Sequence, residues 1–147
     1  MTYGTSTTVG LPFDEAVTAT RDALAEQGFG VLTEIDMSAT LKAKLDVDVP
    51  RQVILGACNP PLAYRGLQAE ESIGLLLPCN VVVRKLDDGH TLVQTLDPQV
   101  MVRLTENPAL AEVADEAAVR LAKVLERVGG LQAGGSGATV SPDTVGI

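Results

Sequence analysis

Tryptophan is absent, and the chain holds only two Phe and two Tyr. Stacking platforms for bases or sugars are therefore scarce, and any core has to be built from Val, Leu, Ile and Ala. A single histidine, His90, leaves imidazole chemistry one candidate, and it sits just after an Asp-Gly turn signal where a solvated hairpin tip is expected. Two cysteines, Cys58 and Cys79, are too few for a disulfide framework and are expected to be free thiols. Positive charge is also short: 11 Lys and Arg face 19 Asp and Glu, a formal net charge of -8 that repels phosphate backbones and anionic lipid headgroups. No nucleic-acid partner is expected. The apolar run Leu75 to Pro78, like every other in the chain, is far shorter than a membrane span, and Met1 to Thr8 has neither a basic nor an apolar signal region. The expectation is a protein of the cytoplasm with no membrane partner. There is no Gly-rich phosphate loop, no Gly-x-Ser-x-Gly elbow and no His-Glu-x-x-His, so the common nucleotide, hydrolase and metalloprotease mechanisms lack their residues.

What is present is an ordinary globular composition over 147 residues, 46% hydrophobic and 20% charged, enough for one domain with one core. Thr2 to Thr8 alternate loosely and suit an edge strand. Phe13, Val17, Thr20 and Leu24 recur at helical spacing, and Gly28 supplies a left-handed stop. Phe29 to Asp36 alternate as a second strand, after which Asp36 or Ser38 can cap a short helix through Leu45. Gln52 to Ala57 is a β-branched apolar run that predicts a central strand. Asn59-Pro60, Asp97-Pro98 and Asn107-Pro108 repeat one device, a capping oxygen followed by a proline that loses no needed donor at the first helical position. Asn80 to Leu86 and His90 to Leu96 flank Asp88-Gly89, which predicts a hairpin with a type I′ turn. A last helix, Pro108 to Val128, carries Leu110, Val113, Ala117, Leu121, Val124 and Leu125 on one face. The chain thus reads as one globular domain over residues 1–128, followed by a flexible Gly- and Ser-rich tail over 129–147. The fold class expected is α+β: a two-layer α/β sandwich, its sheet mixed or antiparallel, with helices on one face.

Gly56-Ala57-Cys58-Asn59-Pro60-Pro61-Leu62-Ala63 and Gly74-Leu75-Leu76-Leu77-Pro78-Cys79-Asn80-Val81-Val82-Val83 together resemble the bacterial domain-of-unknown-function family 302. The likeness runs outward through Phe13, Leu24, Gly28-Phe29, Ile35-Asp36 and Asp97-Pro98, and covers roughly residues 1–128. It implies a two-layer sandwich resembling an internally duplicated β-α-β unit, and a homodimer; it implies no known activity. Members that look similar to this chain often carry His where this sequence has Tyr64.

Cys58 precedes a predicted helix start, where free amides and the positive end of the helix dipole favour a thiolate. Cys79 opens the fourth strand. If that strand runs antiparallel to the one ending at Cys58, the sulfurs share one end of the sheet; if parallel, they lie at opposite ends. The candidate ligand-binding residues are Cys58, Asn59, Tyr64, Cys79 and Asn80, with Cys58 and Cys79 as ligands for a soft metal ion or as a dithiol couple. Each has a structural alternative: buried free thiols pack as small hydrophobes, Asn59 caps a helix, Asn80 bonds a turn, and Tyr64 fills a core. The adjacent carboxylates Glu70, Glu71, Asp87 and Asp88 read as a solvated surface. The sequence therefore points to a binding domain for a small molecule, a soft metal or a thiol-redox partner, centred on the two Cys-Asn segments. A non-catalytic dimeric interaction module and an enzyme without a contiguous motif are the alternatives. No cofactor and no catalytic residue is identified.

Overall fold

Alternation along three interior strands turns every second residue toward a single buried face. In β3 (Gln52–Cys58), Val53, Leu55 and Ala57 are buried; in β4 (Cys79–Asp87), Cys79, Val81 and Val83; in β5 (His90–Leu96), Thr91, Val93 and Thr95. Cross-strand registry stacks these sets, with Leu55 opposite Val81, Val53 opposite Val83, and Val83 opposite Val93. The edges are β1 (Gly4–Val9) beside β5 and β2 (Gly30–Asp36) beside β3, giving the order β1-β5-β4-β3-β2 with every neighbouring pair antiparallel. These relations come from a computed structural model that describes residues 1–133.

Two helices cover the apolar face. α1 (Phe13–Glu26) buries Phe13, Ala16, Thr20, Ala23 and Leu24, and stops at Gly28, whose φ of 82° only glycine adopts freely. α5 (Ala111–Gly129) buries Leu121, Val124, Leu125 and Val128 against the same core. A single 3-10 turn, Pro108–Leu110, capped by Asn107 through the Ala109 amide, precedes α5, so the continuous last helix expected from the sequence is divided after Leu110. α2 (Met37–Leu45) buries nothing and is held by the Asp36 carboxylate, which accepts the Ala39 amide at 2.8 Å. α3 (Pro60–Ala69), a 3-10 helix Glu71–Leu76 and α4 (Gln99–Thr105) cluster beyond the end of β3 and the start of β4. The peptide Leu77–Pro78 that leads into β4 is cis. No helix among the described residues is long and apolar enough to cross a membrane.

The architecture is the expected α+β sandwich, with two local differences. The hairpin β4–β5 forms, but neither Asp88 nor Gly89 takes a left-handed φ, so the turn is not type I′. The Asp87 carboxylate accepts the Gly89 amide at 2.9 Å and a register shift falls between Lys85 and Asp87, which together close the turn by another geometry. The two β-α-β segments are also not topological copies: α1 joins opposite edges of the sheet, whereas α3 joins adjacent antiparallel strands. After α5 the chain returns to the sheet edge, where the Ala133 amide donates to the Gly10 carbonyl at 2.8 Å. Of the flexible tail expected over residues 129–147, residues 134–147 lie outside the described residues.

Candidate functional site

β3 ends at Cys58 where β4 begins at Cys79, and the pairing of Ala57 with Cys79 sets both thiols at one end of the sheet. The antiparallel arm of the fork is the one realised. Cys58, Asn59 and Cys79 line a common cavity of about 340 Å³. It lies where three apolar clusters fail to meet: the main core, represented by Phe29 and Ala57; a group of Leu62, Val113 and Ala117; and a group of Ile73, Met101 and Leu110. Leu32, the extra residue at the β2 bulge between Val31 and Thr33, is 67% exposed and lines the cavity as well.

The electrostatics of this corner differ from what the sequence suggested. Pro60 and Pro61 open α3 and have no amide hydrogen to offer. The next amides are taken: Leu62 donates to Asn59 Oδ1 at 3.3 Å, and Ala63 donates to the Asn59 carbonyl at 2.9 Å. The helix start therefore presents no free donor from its first four residues to a Cys58 thiolate. Cys79 is 7% exposed, and burial, reinforced by the neighbouring Cys58, pushes its thiol up from 9.0 to about 11. It is a protonated, apolar wall element at neutral pH. Asn59 is engaged at both ends of its amide, because Nδ2 also donates to the Gln27 carbonyl at 3.4 Å, the same oxygen that receives Arg120 at 3.1 Å.

Two candidate residues stand outside the cavity. Tyr64 is 64% exposed, since two residues along a helix rotate it by about 200° from Leu62, which faces inward. Asn80 alternates with Cys79 and Val81, so it lies on the opposite face of the sheet, in a smaller hollow of about 200 Å³ with Tyr3 and Gln94. His90 is exposed at the hairpin tip, its Nδ1 2.9 Å from Asp87 Oδ1; that contact and the Gly89 amide hold the Asp87 carboxyl below its usual range. Among the described residues no group of three or more His, Cys, Asp or Glu is arranged so that it could hold a metal ion.

The family model for the domain of unknown function DUF302 matches residues 5–128. The chain belongs to the DUF302 family. A crystal structure of an uncharacterised conserved DUF302 protein from Bacillus stearothermophilus is similar to it at 31% identity, with a TM-score of 0.80, covering 87% of this chain and 99% of that one. No curated protein matches the chain. Within this DUF302 domain, the residues that sequence reasoning passed over are Gly66 and Met101. Gly66 is buried in the middle of α3 and lines the cavity, at a position where glycine costs about 1 kcal/mol relative to alanine. A glycine inside an otherwise helical run was the available signal. Met101 carried none, because it joins Ile73 and Leu110 only in three dimensions.

Proposed function

We propose that this domain binds a small apolar molecule in the cavity between α3, α5 and the end of the sheet. The observation that supports the reading is the lining itself: hydrocarbon side chains, two free thiols, the Met101 thioether and the amide of Asn59, with no charged residue. A cavity of about 340 Å³ falls within the range of roughly 300–1,000 Å³ common to small-molecule sites. Gly66 fits the same reading, since its missing side chain keeps space open at a cost to helix stability. A soft metal held by Cys58 and Cys79 is the second reading. It would have two sulfur donors, one of them a thiol that burial keeps protonated, and it would leave most of the cavity empty.

The test uses Gly66→Leu. A Cβ at residue 66 meets only Ile73 Cγ2, at an ordinary 3.9 Å, so the side chain can enter the cavity without a backbone clash. Titration with the neutral fluorophore N-phenyl-1-naphthylamine is expected to saturate at one molecule per chain in the native protein. In G66L the binding is expected to weaken by tenfold or more while the melting temperature holds or rises. Equal binding by both proteins, or none by the native protein, would overturn the reading.

A further inference from the structure

The cavity's heteroatoms restrict what its occupant can be. Of the side chains lining it, only Cys58, Asn59, Cys79 and Met101 carry atoms other than carbon and hydrogen. Asn59 is already committed to the backbone at Leu62 and Gln27. The groups left to meet a ligand's head are three sulfurs. Cys79 and Met101 are both deeply buried, at 7% and 3% exposure. Resting on the cavity reading above, we propose that the ligand is an uncharged apolar molecule whose head is itself a sulfur group, a thiol or thioether, recognised by Cys58, Cys79 and Met101.

The physical reason is the difference in what each head group loses on leaving water. A carboxylate or phosphate would be buried with no charged side chain and no free amide from the start of α3 to receive it, which is heavily disfavoured. A hydroxyl would surrender strong water hydrogen bonds for the weak acceptors that thiol and thioether sulfur provide. A thiol or thioether surrenders little, and gains dispersion contact with polarisable sulfur on the opposing wall. The formal net charge of -8 acts in the same direction by disfavouring anionic ligands at long range.

Three probes of equal chain length separate these possibilities. With N-phenyl-1-naphthylamine bound and reductant present, 1-decanethiol, 1-decanol and decanoate are titrated as competitors at pH 7.5. Decanethiol is expected to displace the fluorophore at a concentration at least tenfold below that of decanoate and several-fold below that of decanol. In Met101→Leu and in Cys79→Val the thiol-to-alcohol ratio is expected to narrow, because each variant replaces sulfur by hydrocarbon. Decanoate competing as well as decanethiol, or an unchanged ratio in both variants, would overturn this proposal while leaving the cavity reading intact. Failure of the fluorophore to bind at all would overturn both.

Discussion

The half of the domain under α1 and α5 and the half under α3 and α4 are built from the same kinds of residue, yet one closes and the other leaves a hollow. On the closed side, long helices of 14 and 19 residues lay Leu24, Leu121 and Val124 onto an unbroken sheet face of Val53, Leu55, Val81, Val83 and Val93. On the open side the sheet has ended. α3 has 10 residues, α4 has 7, and each is followed by a 3-10 helix, so the apolar residues here gather in two groups of three. A sheet face gives helices a common surface to close upon; short helices meeting beyond its edge have none. Closure here depends on length and backing more than on hydrophobicity.

Paired truncations put that contrast at greatest risk. Leu55→Ala, in the closed half at 0% exposure, is expected to cost about 3–5 kcal/mol by urea denaturation, whereas Leu62→Ala, beside the existing cavity, should fall near 2 kcal/mol, because less new void is created. Equal losses would erase the distinction. Gly56→Ala sharpens it at the boundary: the added Cβ would lie 2.8 Å from Pro78 Cγ and closer still to Thr33 Oγ1, so overpacking of about 1–3 kcal/mol is expected. Asn59→Ala removes the cap of α3 and its tie to Gln27, with an expected loss of about 1 kcal/mol and faster amide exchange confined to the open half.

The smallest effect concerns pH. Cys79 is protonated in the folded state up to about 11 and ionises near 9.0 when unfolded, so the unfolded chain releases its proton first. Stability should therefore decline as pH rises from 9.0 toward about 11, and Cys79→Val should flatten that decline. An iodoacetamide rate profile for Cys79, taken in Cys58→Ala, should likewise climb with a midpoint raised above 9.0 by burial, but below the native value because the Cys58 contribution is gone. An ordinary midpoint would place Cys79 in water.

What the sequence disclosed was local. Asn59, Asp97 and Asn107 all accept amides at helix starts, and Asp36 does the same, because a cap and its partner lie within three residues. The hairpin was legible from two alternating runs, but its turn was not, since Asp87's carboxylate supplies a hydrogen bond that a dipeptide rule ignores. The positions of Tyr64 and Asn80 were legible in principle: helical and strand periodicity turn both away from the cysteines. The cavity was not, because it arises from residues as distant as Phe29, Ile73 and Val113 whose shortfall in packing no local pattern records. Antiparallel pairing of β3 with β4 decided whether the thiols met at all, and that too is a long-range fact.

α5 belongs to both halves. Its first turns present Val113 and Ala117 to the hollow, and its later turns anchor Leu121, Val124 and Val128 in the closed core. One rod running through both means that an occupant gripped at one end must be released before the other end can melt. An occupant at a hundred times its dissociation constant would then add about 2.7 kcal/mol to the unfolding of the whole domain, so a thermal-shift screen of small molecules can read the hollow through the melting of residues that never touch it.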